Sequence, residues 1–206
     1  ARYVVMAVKP YQIEALLAEM APEFGPDTVV ISVAAGISIA RLQAAVAGRC
    51  PVVRCMPNTP ALVGKGVFAL CFDDKVPAES KEDILRFFSQ LGVCLELPES
   101  RFTAFSALIG AGPAYVFGMM QGLVQAGVTL GLGRKDCRDM VAALFEGSAV
   151  MAARSDTPLM ELRDQVCSPG GLTIAGVNVL DRAGLSGLLV DAVLAADERG
   201  REMEKE

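Results

Sequence analysis

The stretch TVVISVAAGISIARLQAAVAGRCPVVRC, residues 28–55, alternates apolar runs with one amphipathic segment. The β-branched run Thr28–Val33 predicts a strand, and Val52–Cys55 predicts another. Between them, Ile39–Ala47 has helical spacing and follows Ser38, a residue type that caps helices. A strand–helix–strand unit of this kind places its two strands in parallel. The stretch therefore predicts an α/β fold with a mainly parallel, doubly wound sheet.

The same alternation continues on both sides of this stretch. It predicts further strands at Tyr3–Val8, Gly66–Phe72 and Val93–Leu97 and helices at Gln12–Met20 and Glu79–Leu91. Ligands of such sheets bind at the carboxyl ends of the strands. Three loops with unusual chemistry leave these ends: AVKP at 7–10, SVAAG at 32–36 and CMPNTP at 55–60.

The strands stop after Pro98, and only helical patterns follow. The expected helices are Phe102–Ile109, Tyr115–Leu130, Lys135–Ala152, Pro158–Val166, Thr173–Ala183 and Leu185–Lys205. We expect two domains, a parallel-sheet domain at 1–98 and an all-helical domain at 99–206. The helical half is rich in Gly and Ala and too apolar for a small lone bundle, so we expect it to pair with a second copy.

Composition excludes several classes of function. A net charge of −5 over 206 residues gives no electrostatic footprint for nucleic acid. The chain has no histidine, which excludes His-based triads and His metal sites, and we expect no metal. Its six cysteines are spread singly without a C-x-x-C pair, a pattern typical of reduced thiols in the cytoplasm.

One long apolar stretch raises the question of a membrane. No charged residue lies between Arg101 and Arg134, and Ala114–Gly133 approaches the roughly 20 residues that cross a bilayer. However, Gly110, Gly112 and Pro113 break the run early. We therefore favour a buried subunit interface over a membrane span.

The segment QVCSPGGLTIAG, residues 165–176, bends the chain sharply just before a helical pattern. Pro169 ends a preceding helix, and Gly170 and Gly171 allow backbone conformations closed to other residues. Free N–H groups at the start of the next helix attract an anion such as a small carboxylate. The alternative is an ordinary turn between helices, with Thr173 as the cap.

The run ELRDQVCSPGGLTIAGVNVLD at 161–181 resembles the signature of pyrroline-5-carboxylate reductases. VKP at 8–10, SVAAG, and RCMPNTPALVGKG at 54–66 resemble that family's other motifs, in the same order. The resemblance implies a Rossmann-like domain followed by a helical domain that interlocks two subunits, as a dimer or a larger homo-oligomer. It also implies reduction of L-Δ1-pyrroline-5-carboxylate to L-proline with NADPH or NADH, the last step of proline synthesis.

The resemblance also implies roles for particular residues. Thr173 would lie near the ring nitrogen as the catalytic hydroxyl, orienting the substrate and delivering a proton. The turn that holds the substrate carboxylate would be Ser168, Pro169, Gly170, Gly171 and Leu172, with Thr173 beside it. The cofactor would lie along Ala7, Val8, Lys9, Pro10, Ala34, Ala35, Gly36, Met56, Pro57, Asn58 and Gln165. The plainer alternatives are that Lys9 and Pro10 only end a strand and that Asn58 only centres a turn.

The chain departs from the family at its beginning. Relatives carry a first strand–helix–strand unit with a G-x-G-x-x-[GA] motif that binds the pyrophosphate, and no such motif occurs in the printed sequence. We therefore expect further sequence before Ala1, where the choice between NADH and NADPH would be made. Two other functions stay open: a catalytically silent dimerisation or ligand-binding module, and a reductase of a related imine.

Overall fold

A computed structural model describes residues 1–204 as a five-stranded sheet with helices. The strands are β1 (Tyr3–Met6), β2 (Val29–Ser32), β3 (Val52–Met56), β4 (Gly66–Phe72) and β5 (Gly92–Glu96). The helices are α1 (Pro10–Met20), α2 (Ile39–Ala45), α3 (Ala78–Ser89), α4 (Phe102–Phe105), α5 (Gly112–Thr129), α6 (Arg134–Ala153), α7 (Leu159–Gln165), α8 (Leu172–Arg182) and α9 (Leu185–Met203). Lys205, the expected end of the last helix, lies outside the described residues.

The sheet has the strand order β1-β2-β3-β4-β5, and three of its four strand pairs are parallel. Val30 of β2 is aligned with Val52 of β3, and Tyr3 of β1 with Val29. The exception is the antiparallel pair β3–β4. Its strands are joined through a single short helical turn, Thr59–Val63, which is too short for the crossover that a parallel pair needs. The expected mainly parallel α/β sheet is confirmed.

Alternating residues of the central strands pack into two separate cores. Val30 lies in one core with Leu17 of α1 and Leu42 of α2. Its neighbour Ile31 lies in the other core, with Phe88 of α3. Because successive strand residues point to opposite faces, these cores cover the two faces of the sheet. This layering explains why β2 and β3 are mostly apolar rather than alternating, with Ser32 and Arg54 as the exceptions.

By contacts, the chain divides into two compact units. The first is Ala1–Pro113 together with the chain from Val193 onward, and the second is Ala114–Ala192. Phe102 and Phe105 of α4 pack against Ala69 of β4, which explains why the start of the helical half groups with the sheet. We call the two parts the sheet unit and the helical unit. The domain boundary after residue 98 stays a prediction.

The connection between α4 and α5 differs from the expected break at GAGP. The expected helix over Phe102–Ile109 is wrong in its second half, because α4 ends at Phe105 and continues as a π-helical turn, Ser106–Gly110. The backbone N–H of Ala111 closes this turn on the carbonyl of Ser106 at 2.9 Å. Pro113 then fits in the first turn of α5, where its missing N–H leaves no hydrogen bond unmade.

The chain is therefore helical from Glu99 to Thr129, and the most apolar 18-residue window of this segment has a mean hydropathy of 1.4. By length and composition this segment could cross a membrane, although a single apolar helix is weak evidence for a span. Only 11% of its most apolar window is buried in the single chain. The other expected strands and helices lie within three residues of the observed bounds.

Candidate functional site

The parallel strands β1, β2 and β3 end at one edge of the sheet, where all three predicted loops begin. The β1–β2 ladder closes with the N–H of Val33 donating to the carbonyl of Met6 at 3.2 Å. The chain leaves β1 as AVKP and β2 as VAAG directly after these residues. Their position at the carboxyl edge agrees with the rule for ligand sites in such sheets.

The first two loops line one groove of about 540 Å³. Ala34 is buried and Ala35 exposed, and neither carries a side chain beyond Cβ that would obstruct a ligand. Small residues of this kind let an elongated ligand approach the backbone closely. The structure thus brings together the predicted cofactor residues of the first two loops. Gln12 and Val33 also line the groove, and the sequence did not single them out. The lining is Ala7, Val8, Lys9, Pro10, Gln12, Val33, Ala34 and Ala35.

Hydrogen bonds at the start of α1 fix the AVKP loop. Lys9 is the N-cap residue of α1, and Pro10 occupies the first helical position. The N–H of Lys9 donates to Oε1 of Gln12 at 3.2 Å, and the N–H of Gln12 donates back to the carbonyl of Lys9 at 2.9 Å. A Gln three residues after the N-cap is a known sequence signal for this arrangement, so the sequence could have identified Gln12 as part of the loop.

The second loop turns by means of Ser32 and Gly36. The hydroxyl of Ser32, fully buried, accepts a hydrogen bond from the N–H of Ala34 at 3.3 Å. Gly36 has a φ of +76°, a conformation that favours glycine. Gly36 itself lines a neighbouring groove of about 370 Å³, which also includes Ser38 and Arg54.

The third loop does not line the groove formed by the first two. Asn58 donates from Nδ2 to the carbonyl of Ile109 at 3.3 Å and accepts at Oδ1 from the N–H of Val67 at 2.9 Å. Met56 packs with the cluster around Phe102. The side chain of Asn58 thus ties the loop to β4 and to the π-helical turn, and it does not cap its own turn. The roles of Met56, Pro57 and Asn58 beside a cofactor stay predictions.

In the helical unit, the Pro-Gly-Gly segment forms a tight turn between α7 and α8. Gln165 is the last residue of α7. The N–H of Gly171 donates to the carbonyl of Ser168 at 3.0 Å, and Gly170 has a φ of +66°. Arg163 connects the two helices through Asp181 of α8, with an N–O distance of 3.4 Å. The glycines therefore form the sharp turn that their sequence pattern predicts, and α8 begins directly after it.

Thr173 is the second residue of α8 and is exposed. The N-cap is Gly171, and within residues 1–204 no side chain caps this helix. The expectation that Thr173 caps the helix is therefore wrong, whereas the choice between an anion site and an ordinary turn stays open. The first turn of α8 instead presents backbone N–H groups and an exposed hydroxyl near the same point.

The six cysteines are all free, and Cys50, Cys55 and Cys137 are buried. Burial raises the pKa of Cys55 to about 12, and it also raises the pKa of Cys50. The thiols of Cys50 and Cys55 are therefore neutral at physiological pH and are poor nucleophiles. Within the described part of the chain, no group of three Cys, Asp or Glu side chains could hold a metal ion.

A mainly parallel sheet with small-residue loops at its carboxyl edge defines a Rossmann-like, dinucleotide-binding class of protein. A family model for pyrroline-5-carboxylate reductase dimerisation matches residues 99–203. The pyrroline-5-carboxylate reductase of Corynebacterium melassecola is 38% identical over 205 residues, which cover 98% of this chain and 76% of that protein. The enzyme of the same name from Pseudomonas aeruginosa is 38% identical over 97% of this chain and 74% of its own length. The chain belongs to the pyrroline-5-carboxylate reductase family.

Solved structures agree with this assignment. Pyrroline carboxylate reductase from Plasmodium falciparum, determined with NADP bound, superposes with a TM-score of 0.92 at 33% identity. The match covers 99% of this chain and 78% of that one. The Coxiella burnetii pyrroline-5-carboxylate reductase has a TM-score of 0.91 at 31% identity, over 98% of this chain and 76% of its own. The fold of this chain is therefore that of the family.

Proposed function

We propose that this protein reduces L-Δ1-pyrroline-5-carboxylate to L-proline with NADPH or NADH, the last step of proline synthesis. The groove lined jointly by AVKP and VAAG is the observation that carries the proposal. It lies where the fold places a dinucleotide, at the carboxyl edge of the sheet. Family membership favours this reaction over a silent dimerisation module and over a reductase of a related imine.

The predicted cofactor residues fit a nicotinamide dinucleotide, and those that line the groove are Ala7–Pro10, Ala34 and Ala35. Ala7–Pro10 would run along the dinucleotide, and Ala34, Ala35 and Gly36 would allow the close backbone approach that its flat groups need. Met56, Pro57 and Asn58 would lie against the nicotinamide, and Gln165 would adjoin it. When bound, the dihydronicotinamide supplies the hydride that the imine carbon accepts.

The turn between α7 and α8 would hold the substrate. Within the turn at residues 168–172, Pro169 has no N–H and the N–H of Gly171 already donates to the Ser168 carbonyl. The N–H groups of Ser168, Gly170 and Leu172 at the helix N-terminus suit a single carboxylate, because the helix dipole adds to their partial charges. Thr173 would form a hydrogen bond with the ring nitrogen through its hydroxyl and so orient the ring for hydride transfer. Since a protonated imine needs only a hydride and a well-placed hydrogen bond, a site without histidine suffices.

The reaction is tested by following NADPH absorbance with pyrroline-5-carboxylate and the full-length protein, and by measuring the proline formed. We expect one proline per NADPH oxidised and much weaker turnover of other cyclic imines. Stoichiometric reduction of a different imine, without turnover of pyrroline-5-carboxylate, would indicate the related-imine reductase. NADPH that stays unoxidised with every imine, in a folded protein, would indicate the silent module.

The helical domain at 99–206 would form a homodimer, and dimers could assemble into a larger ring. Few residues of the helical unit form a core, which centres on Val124, Cys137 and Val141. Many large apolar side chains of this unit are instead exposed, among them Phe117, Leu123, Leu144, Met151, Val179 and Leu188. So much uncovered apolar surface is typical of a subunit interface.

Leu144→Asp would break this dimer, because a carboxylate in an apolar interface loses its water. We expect the sedimentation coefficient to fall from that of an oligomer to that of a monomer. Leu62→Asp is the matched control, since Leu62 is 89% exposed in the sheet unit. Unchanged assembly of the Leu144 variant would contradict an interface at this face of α6.

The same pairing would cover the apolar helix Glu99–Thr129 without a membrane. We propose a cytoplasmic enzyme that binds neither membrane nor nucleic acid, in accord with the net charge of −5. Purification without detergent and recovery in the supernatant after ultracentrifugation would support this. A strict requirement for detergent would contradict it.

A further inference from the structure

Arg54 is an unusual residue for its position in the sheet. It lies in the middle of β3 and is 5% exposed. Among residues 1–204 it is the one charged side chain in the buried class. A buried charge is retained only with close partners, because removing it from water is costly.

The guanidinium of Arg54 has three such partners, all in the sheet unit. Its Nη1 lies 3.0 Å from Oε1 of Glu99, and its Nη2 lies 3.1 Å from Oε1 of Glu204. The guanidinium carbon lies 4.7 Å from the centre of the Phe102 ring. These contacts fix the side chain of Glu99, which is only one third exposed, in a single orientation.

Glu99 in turn holds the first residue of α2. The N–H of Ile39 donates to the same Oε1 of Glu99 at 2.7 Å. Two residues further, the N–H of Arg41 donates to the hydroxyl of Ser38 at 3.2 Å. Two side chains therefore satisfy N–H groups that the helix itself leaves open.

The start of α2 sets the end of the loop that contains Ala34, Ala35 and Gly36. Only Ile37 and Ser38 separate Gly36 from the helix. Since α2 has seven residues, it is too short to keep its ends rigid by its own hydrogen bonds. The bond from the Ile39 N–H to Glu99 therefore adds to the hydrogen bonds of Ser32 and Ser38 that fix this part of the chain.

We infer that Arg54 and Glu99 form a positioning pair that holds the Ala34–Gly36 loop in the conformation that binds the cofactor. The inference rests on the proposed function, in which this loop contacts NADPH. Neither side chain lines the groove formed with AVKP, although both line the neighbouring groove with Gly36. The contact that links the pair to the loop is the hydrogen bond from Ile39 to Glu99.

The test measures NADPH dissociation constants by fluorescence titration in the full-length protein, together with kcat and both KM values. Glu99→Ala removes the acceptor for Ile39, and we expect the NADPH dissociation constant to rise about tenfold with kcat within about twofold of the wild type. Glu99→Gln keeps an oxygen acceptor, so it should restore most of the affinity. The KM for pyrroline-5-carboxylate should stay unchanged in both variants.

Two control variants separate positioning from general stability. Glu14→Ala removes the exposed ion pair between Glu14 and Arg41, which also reaches α2 but leaves the bond to Ile39 intact. Ile84→Ala truncates the core on the α3 side and should lower the melting temperature without weakening NADPH binding. If Glu99→Ala does not fold, Arg54→Met with Glu99→Leu makes the same comparison, because apolar residues often replace a buried ion pair without loss of the fold.

The outcomes distinguish this inference from the proposed function. Wild-type affinity in Glu99→Ala, or an equal loss of affinity in Ile84→Ala, would overturn the positioning role while leaving the reductase intact. A wild-type protein that neither binds NADPH nor forms proline would overturn the proposed function, and the inference with it.

Discussion

The two regions with candidate site residues are built in opposite ways. The loops of the sheet unit are held by buried hydrogen bonds, such as the one from the Ala34 N–H to the Ser32 hydroxyl. The Pro-Gly-Gly turn of the helical unit is open, with Leu172 94% exposed and Thr173 exposed beside it. A substitution at a buried position of the first region, such as Ala34, therefore changes both packing and binding. A substitution at the exposed Thr173 changes the reaction with little effect on packing.

The largest effect is expected at Thr173. Thr173→Val keeps the shape of the side chain and removes the hydroxyl, so kcat should fall about 100-fold, a loss typical of removing one hydrogen-bond donor from a transition state. The melting temperature should not change, because the side chain is exposed.

Thr129→Val is the matched control for this variant. Thr129 is also exposed, and its hydroxyl donates only to the carbonyl of Gln125 within α5. Its kcat should equal that of the wild type. Equal rates for Thr173→Val and the wild type would remove the hydroxyl from the mechanism and weaken the contrast between the two regions.

A smaller effect is expected at Gly170, where φ is +66°. Gly170→Ala strains the turn by about 1 kcal/mol and shifts the N–H groups proposed to hold the carboxylate. The KM for pyrroline-5-carboxylate should rise about tenfold, with an unchanged KM for NADPH.

Gly184→Ala controls for backbone strain, because Gly184 has a similar φ of +72° in the turn after α8. Both variants should lose similar melting temperature, and only Gly170→Ala should lose substrate affinity. A matching rise in KM for the two variants would mean that strain alone, and not a carboxylate site, accounts for the result.

The smallest effect is expected at Gln165, the exposed last residue of α7. Gln165→Ala removes at most one hydrogen bond to the cofactor, so the KM for NADPH should rise about twofold. Steady-state kinetics at saturating substrate measure this directly. A tenfold rise would give the helical unit a larger part in cofactor binding than we propose.

The sequence predicts the elements of the sheet unit well because their signals are local. The strand Gly66–Phe72 is confirmed at both ends, since its apolar run lies between a turn at Gly64 and the charged turn at residues 73–75. The helical half is predicted less well between α4 and α5. There the glycines and Pro113 indicate a break, whereas tertiary packing of Phe102 and Phe105 keeps the chain helical through a π turn.

The candidate site, too, is predictable where the signals are local and not where it depends on contacts between distant residues. The order of strands and loops in the sequence was enough to predict that AVKP and VAAG lie at the same groove, because parallel strands end at one edge of the sheet. The network of Arg54, Glu99 and Ile39 could not be read from spacing, since its members are far apart in the chain. The one available signal was a lone arginine inside the apolar strand VVRCM. Likewise, only the structure shows that the Asn58 side chain is already engaged by Val67 and Ile109.

The central claim is that the groove at the carboxyl edge of the sheet binds the cofactor, and NADPH titration of Ala35→Leu in the full-length protein tests it most directly. Ala35 is exposed in the groove, so a leucine there fills space without disturbing the core. We predict a dissociation constant about tenfold higher than that of the wild type, at an unchanged melting temperature. Ala40→Leu, at an exposed position on α2, should bind NADPH like the wild type. Equal affinity for Ala35→Leu and the wild type would contradict the claim.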